Sequence, residues 1–170
     1  YSDDSSPYTS TIVFLVRKGN EKDIEEAKSS LSSAMIDRLT LNESRLNTMI
    51  EGVRQVAKLA DPIGEITDSW KTKNGLKFTK VRVPLGTIGV IYESRPNVTI
   101  DVAALCIKSG NCVVLRGGKE AINSNRKLYE IMQNALESNG FDKNVVNFID
   151  DITRESSLEL LKQGDCVDVV

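Results

Sequence analysis

Two short segments hold the side chains best suited to chemistry. Glu93-Ser94-Arg95-Pro96-Asn97 and Arg116-Gly117-Gly118-Lys119-Glu120 each follow a short run rich in valine, isoleucine or leucine. The second segment suits an anion. Its glycines let backbone amides approach closely, a helix opening behind it adds positive potential, and Arg116 and Lys119 supply charge. A phosphate such as the 2′-phosphate of NADPH fits that description. A tight strand-to-helix turn with solvated cations fits it equally well, because no complete dinucleotide or P-loop glycine pattern is present. In the first segment, Arg95 has the geometry to grip a carboxylate or phosphate through paired hydrogen bonds. The Asn97 amide has the chemistry to stabilise a developing oxyanion. The plainer reading makes Asn97 the N-cap of the next helix and leaves Arg95 in solvent.

Other chemistry has little support. The chain has no histidine, so acid–base work falls to carboxylates, lysines or cysteines. Cys106, Cys112 and Cys166 form no C-x-x-C pair and are odd in number, which argues against a disulfide framework and for a reducing, cytoplasmic setting. Cys106 lies in an expected helix, Cys112 starts an expected buried strand and Cys166 begins another, so all three are expected to pack rather than react. A net charge of −2 gives no broad electrostatic reason to expect nucleic acid or an acidic membrane as partner. Ile12–Val16 is the longest apolar run near the start and is far too short to span a bilayer. The chain opens on Tyr1 and closes inside an apolar run at Val170, so both ends read as cut.

At 170 residues the chain can build one substantial core. Residues 1–19 read as a disordered start or a single strand. N-terminal helices are expected over 20–62, the first opening at Asn20 with acidic residues in its first turn. The clearest helix covers 42–60, with Leu46, Met49, Ile50, Val53, Ala57 and Ala60 on one face. Asn42 is its expected cap, and Asp61-Pro62 ends it. Over 63–84 a hairpin is expected, with Asn74-Gly75 in a type I′ turn. Beyond Pro84, strands are expected at 87–92, 112–116, 145–149 and 166–170, with helices at 99–109, 120–138 and 154–163. This alternation over 85–170 predicts an α/β fold, a doubly wound parallel sheet with the hairpin as an appended ribbon. Ligands bind such sheets at the carboxyl ends of the strands, where both chemical segments fall.

The stretch from Val83 to Thr99, VPLGTIGVIYESRPNVT, closely resembles the signature of the gamma-glutamyl phosphate reductases, which are also called glutamate-5-semialdehyde dehydrogenases. So do Lys108–Glu120 (KSGNCVVLRGGKE), Ile36-Asp37-Arg38-Leu39 and Leu59–Glu65 (LADPIGE). The resemblance runs from about Asn20 to the end, while residues 1–19 do not look like the family's opening helix. It implies an aldehyde dehydrogenase-like, Rossmann-like cofactor domain, incomplete here, and a hairpin that joins copies into a homo-oligomer. The implied reaction, in proline biosynthesis, is NADPH-dependent reduction of L-glutamate 5-phosphate to L-glutamate 5-semialdehyde and phosphate. Glutamate 5-kinase is an implied partner, since some relatives carry it in the same chain. The resemblance also implies that Asn97 steadies the oxyanion and Arg95 binds substrate. Ser94, Pro96, Arg116, Gly117, Gly118 and Lys119 would then line the cofactor, with the Lys119 charge favouring NADP over NAD. The family's nucleophilic cysteine matches none of the three present, so the catalytic domain is expected to be absent and this chain alone inactive. Two other readings stay open: a non-catalytic dinucleotide-binding or assembly module, and an oxidoreductase for another substrate class.

Overall fold

The structure, a computed structural model, describes residues 7–170, with side chains from Val13 onward. Three helices come first: α1 (Pro7–Ala27), α2 (Ser33–Leu39) and α3 (Glu43–Lys58). This corrects the reading of residues 1–19. Residues 1–6 lie outside the described residues, and the remainder is neither strand nor disordered but the first half of α1. Nor does a helix open at Asn20, which sits in mid-helix. The buried stripe of α1 is Val16, Asn20, Asp23 and Ala27. Its two central members are polar, so an apolar period cannot be seen there, and packing overrides the strand preference of Ile12 and Val13.

That polar pair fixes the N-terminal helix to the rest. The Asp23 carboxylate accepts from the backbone N–H of Asn123 at 3.0 Å and of Ser124 at 2.7 Å. It also accepts from Asn123 Nδ2 at 2.8 Å and Ser124 Oγ at 2.5 Å. Asn20 donates to the Leu39 carbonyl at 2.8 Å and to Ser124 Oγ at 3.0 Å, and it accepts from Leu41 N–H at 2.7 Å. On α3, Leu46 and Met49 are buried and Asn42 caps the first turn, accepting from Arg45 N–H at 2.9 Å.

The antiparallel hairpin pairs β1 (Ile66–Lys71) with β2 (Lys77–Val81), with Trp70 stacked on Phe78 at 5.4 Å between ring centroids. Its turn is not type I′. Gly75 has φ +91°, but no non-glycine described has positive φ, so Asn74 does not meet the type I′ requirement. Gly75 N–H bonds the Thr72 carbonyl at 3.0 Å and Thr72 N–H bonds the Leu76 carbonyl at 2.9 Å. This is a three-residue loop whose glycine closes a bulge. Both strands are exposed along their whole length.

The remaining elements are β3 (Thr87–Ile91), α4 (Asn97–Lys108), β4 (Cys112–Arg116), α5 (Ile122–Ser138), β5 (Val146–Phe148) and α6 (Arg154–Lys162). The three strands form a parallel sheet in the order β3-β4-β5 around a core of Ala103, Cys106, Val113, Leu115, Leu136 and Val146. The expected strand 166–170 reduces to one parallel bridge, Val169 to Ile88, on the free side of β3. Cys106 packs as expected and Cys112 is half-buried. Cys166, expected to begin a strand and pack there, is exposed in the turn after α6. Among the described residues no helix is long and apolar enough to cross a membrane.

The Asp23 cluster yields a stability prediction. Asp23→Ala in the full-length protein strands buried donors and should cost about 3 kcal/mol. Glu26→Ala, which removes only an exposed pair at 3.9 Å, should cost less than about 0.5 kcal/mol. Urea unfolding of the two variants measures both.

Candidate functional site

Because β3 and β4 are parallel neighbours, the segments that follow them leave the same edge of the sheet side by side. Pairing continues one residue further, Tyr92 N–H donating to the Arg116 carbonyl at 3.1 Å. The two segments are then joined through side chains. The buried Ser94 hydroxyl donates to Glu120 Oε1 at 2.5 Å. A second connection runs beneath them: Tyr92 Oη lies 2.7 Å from Thr99 Oγ1, and Thr99 donates to Asn125 Oδ1 at 2.8 Å. Thr99 spends its one hydrogen on Asn125, so the Tyr92 phenol is the donor of the first bond. Burial pushes the Tyr92 phenol up to about 12, against a smaller lowering effect of the Arg116 charge.

Asn125 is fully buried, and its Nδ2 is the one buried side-chain polar atom without a partner among the described residues. It lies against Gly117. A Cβ on Gly117 would overlap that nitrogen and come within 3.2 Å of the Tyr92 ring. One glycine of the pair is therefore required by packing. Among the described residues the amides of Gly117 and Gly118 donate to no backbone carbonyl, as an anion cradle requires, but the Glu120 carboxylate stands beside Gly118 and opposes an anion there.

The candidate side chains divide clearly. Lys119 is exposed and has no partner among the described residues, so it is free for a ligand. Arg116 is 7% exposed, and its guanidinium turns away to the carbonyls of Gly117 and, at 2.8 Å, Thr153, with Ser156 Oγ at 3.4 Å. Pro96, buried, takes the cap position of α4 with helical dihedrals. Asn97 is thereby displaced into the first turn, so the capping expected of it does not occur. Its Nδ2 instead donates to Asp101 Oδ2 at 3.0 Å. Asn97 and the exposed Arg95 line a cleft of about 540 Å³ shared with Arg38, Arg45, Gly52 and Asp101. The spacing of motifs left Glu120, Thr99, Asn125 and Asp101 unread. For Thr99 and Asn125 the available signal was a polar residue at a buried position of the α4 or α5 stripe.

The cysteines offer no nucleophile at this edge. Burial raises the Cys106 thiol, with Cys112 adding to the effect. Cys112 opens β4 and Cys166 precedes the bridge parallel to β3, so both sit at the opposite, amino edge.

Residues 21–170 match the aldehyde dehydrogenase family. The chain is 53% identical over 152 residues to the gamma-glutamyl phosphate reductase of Petrotoga mobilis, covering 89% of this chain and 36% of that protein. The same enzyme from Listeria monocytogenes is 47% identical over 170 residues, 99% of this chain and 40% of its own, so the likeness includes α1. The crystal structure of the Thermotoga maritima reductase superposes with a TM-score of 0.86 at 39% identity, over 92% of this chain and 38% of that one. For the Saccharomyces cerevisiae reductase the values are 0.84 and 32%, over 94% and 41%. The chain thus spans well under half the length of the relatives it matches.

Two measurements test the buried connections. Gly117→Ala should destabilise the full-length protein by about 1–3 kcal/mol through overlap with Asn125, and adding Asn125→Ala should recover part of the loss. An unchanged denaturation midpoint for Gly117→Ala would rule the contact out. The raised Tyr92 value means its stabilising contribution is complete below pH 10 and is lost as pH climbs towards 12. Tyr92→Phe should therefore flatten the fall in stability between those limits, with the late phenolate absorbance missing from its titration.

Proposed function

Because the chain belongs to the aldehyde dehydrogenase family, we propose that it forms the cofactor side of a cytoplasmic gamma-glutamyl phosphate reductase. The reaction is reduction of L-glutamate 5-phosphate with NADPH to L-glutamate 5-semialdehyde and phosphate, in proline biosynthesis. The observation that carries this reading is the side-by-side departure of the two loops from one sheet edge, coupled by Ser94 and Glu120, with Asn97 lining a polar cleft. The sheet order supports a doubly wound, Rossmann-like domain. Running from β5 through β4 and β3 to Val169, the chain reverses direction of travel at β3, which is where such sheets bind dinucleotides.

The residues then take distinct roles. Asn97 Nδ2 carries two hydrogens, one committed to Asp101, leaving the other to meet negative charge developing on the acyl oxygen. Lys119 pairs with the 2′-phosphate, and the free amides of Gly117 and Gly118 face the cofactor. Arg116 braces their loop against α6 rather than holding a ligand, while Ser94 and Pro96 fix the path that delivers Arg95 and Asn97. The nicotinamide, when bound, supplies hydride. The nucleophilic cysteine belongs to the part of the relatives not matched here. The exposed hairpin, with its Trp70–Phe78 stack, joins copies of the protein, and glutamate 5-kinase is the partner that supplies the acyl phosphate.

The full-length protein should oxidise NADPH only when glutamate 5-phosphate is generated in the assay. Asn97→Ala should lower kcat by about 100- to 1000-fold. NADPH binding without acyl phosphate-dependent turnover would favour the non-catalytic module instead.

A further inference from the structure

We propose that the cleft between the α2–α3 corner and the start of α4 recognises the zwitterionic head of an α-amino acid, Asp101 taking the ammonium group and Arg38 and Arg95 the carboxylate. The inference rests on the reductase reading and deepens it by naming what selects the substrate.

The Arg45 charge in the cleft is already spent: its guanidinium holds Asp37 through both carboxylate oxygens at 3.0 and 2.9 Å, and it also binds the carbonyls of Asp37 and, at 2.9 Å, Thr40. That pair is neutralised and serves to close the α2–α3 corner. Arg38 and Arg95 are both exposed, line the cleft and have no side-chain partner among the described residues. Asp101 uses only Oδ2, on Asn97. Its Oδ1 makes no hydrogen bond among the described residues and lies 3.9 Å from where a Cβ on Gly52 would stand. The cleft therefore offers two free cations and one half-free carboxylate.

A ligand matching that set carries an anionic group and a cationic group at one end. The spacing adds the rest. Asn97 and Asp101 lie one helical turn apart on α4, with Asn97 Nδ2 and Asp101 Oδ2 in contact at 3.0 Å. With Asn97 at the acyl oxygen, Asp101 Oδ1 is the carboxylate oxygen left in the same cleft for the α-nitrogen of a five-carbon amino acid activated at its far end. An acyl phosphate without the amino group would leave Asp101 unpaired on binding, and such an omission is rejected more strongly than a missing methylene.

The reverse reaction gives the test, since aldehyde, phosphate and NADP⁺ yield acyl phosphate, NADPH and a proton. In the full-length protein, kcat/KM is measured for glutamate 5-semialdehyde and for 5-oxopentanoate, which lacks only the amino group. The wild type should prefer the amino substrate by at least about tenfold, and Asp101→Asn should bring the two within about threefold of each other. Loosening of Asn97 by that substitution affects both aldehydes alike and cancels in the ratio. Arg38→Gln should lower kcat/KM for both while keeping the ratio. A wild type without preference, or an Asp101→Asn variant that keeps it, overturns the ammonium assignment while the reductase reading stands. Arg38→Gln without effect overturns the carboxylate assignment. A wild type that turns over neither aldehyde overturns the reductase reading and this inference with it.

Discussion

A carboxylate buried at the start of another helix organises this chain. The first N–H groups of α5 have no intrahelical acceptor, and Asp23 provides one from 100 residues earlier in the sequence. Burying a charge is costly, and here four donors around one carboxylate offset the cost. The arrangement also fixes a distance. At Gly19 a Cβ would stand 2.9 Å from the Asn123 carbonyl, so the two helices approach as closely as backbone allows. The glycine loop leads directly into α5, so α1 sets where that loop begins its work.

From there the constraint passes to the second loop. Ser94 and Glu120 join the two at the surface, and Tyr92, Thr99 and Asn125 join the same elements from below. Neither connection touches the cleft where Asn97 faces outward. Each limits how far one loop can move without the other, so Lys119 and Arg95 are held in a common frame. The unpartnered Asn125 nitrogen is the cost of this packing, and it sits where only glycine fits at position 117.

Much of this was legible from residues alone, because the parallel sheet and its helices are built by uninterrupted apolar runs and regular stripes. The α3 cap at Asn42, β3, β4 and α5 fall where their patterns put them. Legibility failed where tertiary partners replace local signals. The α1 stripe is polar at Asn20 and Asp23, so helix periodicity is hidden until α5 is known to lie opposite. The turn at Gly75 was misread because Asn-Gly is compatible with two loop types, and only backbone hydrogen bonds distinguish them. Strand 166–170 has the right composition but forms a single bridge. The site residues were recognised by type, while Asp101 and Glu120 stayed unread because acidic residues near a helix start also serve as plain dipole partners.

Sequence makes Arg95, Arg116 and Lys119 look alike, and the structure separates them by what each already holds. Among the described residues Arg116 is bound only by carbonyls and a hydroxyl, so its charge is satisfied in hydrogen bonds but not neutralised. Its field is felt nearby. It works against the rise of the Tyr92 phenol, and it is the smallest of the influences that hold the Asp151 carboxyl below its ordinary value, after the hydrogen bonds of Thr153. A buried cation without a counter-carboxylate attracts an anion to the loop without contacting it, while Glu120, fixed by Ser94, limits that attraction beside Gly118. The balance directs an anionic group towards Lys119 at the rim rather than onto the glycine pair.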